Sequence, residues 1–283
     1  MNESGLVLPV ANFVSHVDPM MSRAHGRRLR AQLAADYREI RDEAPGILAL
    51  PGAIDLTING LAGLHYDTGH YFAFLPNVES GESLGAMVFL HGNAGNFRLL
   101  IWRWRAFAAR ARLAILAPSC GFGFWRQNSA SIVESVIDDA RKRWSQIDLA
   151  HGFWLCGLSA GGNGVLRCAD LHDWDGLVFV SATMRRDLIE ESSRRKPQEI
   201  ADVLVLNGLK DHNVGPGSVR RGVDLLRRKG AAVDQFVYDE EDHFLVFSQS
   251  DDLDRRMIEW MNSRTPARSS RDPSESDLSP PSR

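Results

Sequence analysis

A chain of 283 residues with 44% hydrophobic residues is long enough for one large α/β domain with a sizeable core. A formal net charge of −3 argues against nucleic acid or an anionic membrane surface as a partner. Three cysteines, Cys120, Cys156 and Cys168, show no paired spacing, which argues against a disulfide framework and fits a reducing, cytoplasmic compartment.

The first residues lack a basic start followed by a long apolar core, so no signal peptide is expected. No apolar run approaches the roughly 20 residues of a membrane span. From residue 20 to about 43 the chain is charged and helical in period, with Leu29, Leu33 and Ile40 as inward positions. Residues 1–50 are therefore expected to form a helical extension packed on a main domain of residues 51–262.

That domain opens with β-like segments at 54–59, 64–68 and 70–75, separated by Asn59-Gly60 and Thr68-Gly69, which suits an antiparallel meander. Next comes a short apolar strand, 87–90, followed by His91-Gly92-Asn93-Ala94-Gly95-Asn96. A helix over 97–112 carries Trp102, Trp104 and Phe107, an aromatic face expected to pack on the sheet. The strand at 112–118 leads into a Gly-rich loop with Phe122, Phe124 and Trp125. Helices are expected at 129–144, 184–199, 218–229 and 251–261, and further strands at 176–180, 203–207 and 232–238. Nearly all the strands are apolar and they alternate with helices. That pattern indicates a mostly parallel sheet covered on both faces, with an antiparallel N-terminal edge. Residues 263–283 are rich in Ser, Pro and Arg and have too few apolar groups to pack, so disorder is expected there.

The central stretch is Gly152-Phe-Trp-Leu-Cys-Gly157-Leu158-Ser159-Ala160-Gly161-Gly162-Asn-Gly164. An apolar strand ends at Cys156, Gly-x-Ser-x-Gly comes next, and a helix opens at Val165. Strand, sharp turn and helix with a serine at the apex is the context in which this short motif carries meaning. A side chain at Gly157 or Gly161 would collide across the turn. The turn also aims the Ala160 N–H, at a helix N-terminus, beside the Ser159 hydroxyl.

A serine hydroxyl is a poor nucleophile without a base, and the base needs an orienting carboxylate. In a parallel sheet these groups come from loops at the carboxyl ends of strands. Gly208-Leu-Lys-Asp211 comes after one predicted strand, and Asp239-Glu-Glu-Asp-His243 after the next. Asp239 and Asp242 are alternative carboxylates. His212 is the rival imidazole, but it directly adjoins Asp211 and cannot easily serve both neighbours. With Ser159, Asp211 and His243 in that chain order, residues 54–261 resemble the α/β-hydrolase superfamily. The resemblance implies the α/β-hydrolase fold and a serine hydrolase acting on a carboxylic ester or thioester through an acyl-enzyme. Its strand-then-His-Gly motif assigns the Asn93 N–H, or Ala94 with a shift of one, to an oxyanion hole shared with Ala160, and makes His91 structural.

Phe122, Phe124 and Trp125 lie just past a strand and are candidates for the substrate pocket, with a loop tucked on the core as the alternative. The region between the strands near 181 and 203 leaves room for only a short cap. No His/Cys cluster has metal spacing and no dinucleotide fingerprint appears, so no cofactor is expected. The expected partner is a small-molecule ester. An acyltransferase with the same residues, or a non-catalytic ligand-binding relative, are the alternatives.

Overall fold

A computed structural model describes residues 3–5, 7–9, 21–49, 70–93, 95–121, 123–192 and 201–264. The expected segments at 54–59 and 64–68, and the tail beyond 264, lie outside the described residues.

Among the described residues, seven strands form one sheet in the order β1-β3-β2-β4-β5-β6-β7. They are β1 (Tyr71–Phe74), β2 (Gly85–Leu90), β3 (Leu113–Pro118), β4 (Phe153–Leu158), β5 (Gly176–Val180), β6 (Val203–Gly208) and β7 (Val233–Tyr238). β1 runs antiparallel to β3 at one edge, Tyr71 facing Pro118, and every other pairing is parallel. β2 to β6 are apolar because both faces of the sheet are covered. Alternate residues serve alternate faces. Ala86, Val88 and Leu90 of β2 join one core with Phe153 and Leu155 of β4. Met87 and Phe89 join the other with Trp154 and Cys156.

The N-terminal helix α1 (Arg23–Glu43) forms a fourth layer, followed by the single turn α2 (Pro45–Ala49). Helices α3 (Arg98–Ala111), α8 (Leu245–Ser248) and α9 (Ser250–Asn262) cover one face of the sheet, with Trp104, Phe107, Leu253 and Met257 inward. Helices α4 (Ser129–Arg143), α5 (Gly161–Cys168), α6 (Arg186–Ser192) and α7 (Pro216–Arg228) cover the other. Among the described residues, α6 is the one helix between β5 and β6; the helix expected at 184–199 begins at Arg186, and residues 193–199 fall outside the described ones. The expected start of α7 moves to Pro216, whose fixed backbone and missing N–H suit a first helical turn.

Ser22 caps α1 by accepting from the His25 N–H at 3.1 Å. Leu29, Leu33, Tyr37 and Ile40 recur on one face, and all are buried. They make a third core with Leu99, Trp102, Phe97, Phe244 and Phe247. Trp102 thus faces α1 rather than the sheet, and its indole N–H donates to Glu39 at 3.1 Å. Trp104 does pack on the sheet, against Phe89. Glu3 is also drawn in. Its carboxylate accepts from the Arg98 and Leu99 N–H groups and from the Tyr37 hydroxyl, at 3.0, 3.1 and 2.8 Å. A carboxylate there satisfies two orphan amides at the start of α3 and complements its dipole.

Because the apolar face of α1 is buried in the third core, α1 should unfold with the domain. Leu33→Ala is expected to lower the unfolding free energy by about 2–5 kcal/mol in a urea titration. An unchanged midpoint would mean that α1 is only loosely attached.

Candidate active site

β4 ends at Leu158, and the chain turns at once into α5 through Ser159 and Ala160. Ser159 has φ of 54°, a left-handed backbone that a side chain disfavours. The turn is tied down on several sides. Its N–H donates to the Val180 carbonyl at 3.2 Å, and its own carbonyl accepts from the Gly162 and Thr183 N–H groups at 3.1 and 2.9 Å. The glycines leave no alternative. A Cβ on Gly157 would lie 2.7 Å from the Gly161 backbone, and one on Gly161 would lie 2.0 Å from the Leu90 carbonyl oxygen.

The loops after β6 and β7 bring the other two groups. Nε2 of His243 lies 3.0 Å from Ser159 Oγ, and Nδ1 lies 2.8 Å from Asp211 Oδ2. A carboxylate can only accept, so Nδ1 carries the proton and Nε2 is left to accept from the hydroxyl. The Asp211 side chain has no exposure, and its other oxygen accepts from the Val214 N–H at 2.8 Å. The two loops cross closely. The Lys210 N–H donates to the Glu241 carbonyl at 3.0 Å, and a Cβ on Gly208 would lie 2.2 Å from that same oxygen. His212 takes no part in this relay. Asp242 turns instead toward His25 of α1.

The loop after β2 passes beside the hydroxyl. A Cβ on Gly92 would stand 2.9 Å from Ser159 Cβ and 3.4 Å from Oγ, so only glycine lets the backbone come this near. Asn93 comes next with its side chain exposed, while Ala94 lies outside the described residues. His91 is fully buried. Its Nδ1–H meets the Gly92 carbonyl at 2.7 Å and its Nε2 accepts from the Cys120 N–H at 3.0 Å. Burial pushes its pKa down to about 4, against a smaller opposing effect of the Gly92 carbonyl, so the ring is neutral and serves as a backbone brace.

The aromatic loop after β3 supports this one. Trp125 is 4% exposed, packs where a Cβ on Gly164 would touch it, and donates its indole N–H to the His91 carbonyl at 2.8 Å. Its ring packs beneath the loop after β2. Gly123, at φ 87°, lets the Gly92–Asn93 peptide lie against it, with a Cβ there only 2.3 Å from the Gly92 oxygen. Phe124 is 58% exposed, with the Arg126 guanidinium 5.7 Å over its ring. Phe122 lies outside the described residues. Sequence reasoning missed the bracing roles of Trp125 and Gly123. A glycine beside an aromatic in a loop signals tight packing but does not name its partner.

The fold is similar to that of several solved structures. The S. aureus fluorophosphonate-binding serine hydrolase FphF aligns at TM-score 0.55 and 15% identity, over 69% of this chain and 99% of that one. A thermostable carboxyl esterase from Bacillus coagulans aligns at TM-score 0.54 and 12% identity, over 69% and 94%. Esterase 2 of Thermogutta terrifontis aligns at 0.52 and 12%, over 69% and 90%. The chain has the α/β-hydrolase fold. Within this fold the chain spans 42% of the longer acylaminoacyl peptidase of Pyrococcus horikoshii, at TM-score 0.49 and 12% identity. No protein-family model and no curated protein matches the sequence. Among the described residues, no group of three or more His, Cys, Asp or Glu side chains could hold a metal ion.

The glycine at the elbow gives a direct test of this packing. Gly161→Ala drives a methyl into the Leu90 carbonyl, so thermal unfolding should show a loss of at least about 1–3 kcal/mol. Wild-type stability in that variant would contradict the close approach of α5 to β2.

Proposed function

We propose that this chain is a serine hydrolase that cleaves a carboxylic ester or thioester through an acyl-enzyme. The observation that carries the reading is the continuous relay from Asp211 through His243 to Ser159, at 2.8 and 3.0 Å. The fold neighbours named as a serine hydrolase and as esterases support the same chemistry.

In this mechanism Ser159 Oγ attacks the carbonyl carbon while His243 Nε2 takes the hydroxyl proton. Asp211 holds the imidazole in the Nδ1–H tautomer and stabilises the imidazolium. The negative charge on the former carbonyl oxygen is met by the backbone N–H groups of Asn93 and Ala160, the latter at the N-terminus of α5. The carbon–leaving-group bond then breaks, and His243 gives its proton to the departing alkoxide or thiolate. Water repeats the sequence on the acyl-enzyme: it loses a proton to His243, adds to the carbonyl, and the acid leaves as Ser159 regains its proton.

Phe124, exposed beside the Gly92 loop, is proposed to border the substrate. The short α6 is the described covering between β5 and β6, which supports an open site suited to a small ester. The three free cysteines fit a reducing compartment, and a cytoplasmic location is proposed on that basis. Among the described residues, no helix is long and apolar enough to cross a membrane.

Ser159→Ala should fold normally yet lose both nitrophenyl ester hydrolysis and fluorophosphonate labelling. Asp211→Asn should lower kcat by on the order of 10⁴-fold, because the imidazole tautomer is no longer held. Full hydrolysis by Ser159→Ala would refute the assignment. Across nitrophenyl esters of graded acyl length, Phe124→Ala should change KM selectively and leave kcat nearly intact. A uniform response would remove Phe124 from the pocket.

A further inference from the structure

The proposed chemistry needs the His243 ring to stay in place, yet it stands on a loop, residues 239–244, followed by the four-residue α8. A single turn has little stability of its own. Local bonds brace the loop: Asp242 Oδ1 accepts from the Phe244 N–H at 2.9 Å, and the Glu241 carboxylate accepts from Gln249 Nε2 at 2.6 Å and from the Ser248 hydroxyl. These ties stay within one stretch of chain. From outside this stretch, the Lys210 N–H holds the Glu241 carbonyl at 3.0 Å and Arg103 Nε donates to the Val246 carbonyl at 2.6 Å. The tie from α1 is His25, on its first turn. Its Nε2 lies 3.3 Å from Asp242 Oδ2, and its Nδ1 lies 3.9 Å from Glu241 Oε2.

We propose that His25 is a positioning residue, whose imidazolium grips the two carboxylates immediately before His243 and so fixes the loop that presents the base to Ser159. This rests on the reading of Ser159 and His243 given above.

Three features support it. First, His25 Nε2 and Asp242 Oδ2 are buried and have no well-formed hydrogen bond among the described residues. At 3.3 Å each is compensated through the charge of the other. Second, α1 cannot easily move away, because Leu29 and Leu33 share the third core with Phe244 and Phe247, on the far side of His243. Third, the charged groups facing His25 are Asp242 and Glu241 from the loop and Arg28 from its own helix. The Asp242 contact raises the His25 pKa above its ordinary value; burial and Arg28 oppose this and are outweighed. Burial pushes the Asp242 carboxyl up, but His25 and the Phe244 N–H together hold it below the usual range. The grip is therefore complete below the ordinary histidine value and is lost as pH rises through the raised one. A cleft of about 590 Å³ beside the ring, lined by Arg28, Gln32, Glu241, Phe247 and Gln249, gives the proton a route to solvent. Neither Ser159 nor His243 lines this cleft.

The test is the pH dependence of kcat and KM for nitrophenyl acetate in wild type, His25→Gln, Asp242→Asn and the double variant, with Ser159→Ala as blank. His25→Gln should lower kcat about tenfold with KM within twofold, as expected when a base is displaced by a fraction of its reach. The wild-type decline above the His25 titration should vanish in this variant. The double variant should be no worse than either single one, which keeps the test decisive through Asp242→Asn if His25→Gln folds poorly. Wild-type kcat in both singles, or a lower melting temperature with unchanged kcat, would overturn the proposal and leave the serine hydrolase reading standing. A wild-type protein that neither hydrolyses the ester nor takes up fluorophosphonate would remove that reading first, and this proposal with it.

Discussion

Ser159 sits at a backbone angle that side chains avoid, and the geometry of the site depends on how that angle is held. A left-handed residue costs about 1–3 kcal/mol and persists only where its surroundings over-determine it. Here β4 arrives from the centre of the sheet, α5 leaves against the end of β2, and the two elements approach through Gly157 and Gly161 until no methyl fits between them. The strain lifts the hydroxyl out of the sheet edge, where the loops after β2, β6 and β7 can reach it. A second serine shares this arrangement. Ser181, at φ 42° and fully buried, ends β5 next to the elbow, and the Thr183 N–H two residues later bonds the Ser159 carbonyl.

The remaining parts act on loops that the sheet does not itself hold. The first is the Gly92–Asn93 peptide, braced by a neutral His91 and by the Trp125 indole from the loop after β3. The second is the pair of loops bearing Asp211 and His243, laced together at Glu241. The N-terminal segment and α1 reach both regions. Glu3 caps α3, which starts just after the Gly92 loop, while His25 and the third core meet the His243 loop and α8.

Much of the fold is legible in the sequence because it depends on local rules. Apolar runs bounded by turn residues mark six of the seven strands closely, and β1 is part of the expected 70–75 segment. Gly-x-Ser-x-Gly is legible because strand, turn and helix are all short-range features. Asp211 and His243 stand out because each lies just past a strand, and a parallel sheet gathers such positions at one edge. The aromatics are harder. Trp102 and Trp104 lie two positions apart on one helix, about 200° around its axis, so they cannot share a face: Trp104 meets the sheet and Trp102 meets α1. Trp125, in a loop at a strand end, is open to two readings from sequence, a pocket wall or a loop tucked on the core; its N–H donates to a buried carbonyl, the partner an enclosed indole needs.

The contacts that escape the sequence share one property: they are polar pairs between residues far apart in the chain. Glu3 and Arg98 are separated by 95 positions, and nothing in the composition of either neighbourhood marks the other. Hydrophobic burial is non-directional and leaves a period that can be counted, as Leu29, Leu33 and Ile40 do on α1. A carboxylate that caps another segment's helix, or a histidine that faces two acids, leaves no period, because a single charge has no repeat. Such residues are visible only after the apolar periods have docked their helices. Apolar packing thus decides where α1 lies, while the few polar groups it carries decide what α1 holds in place.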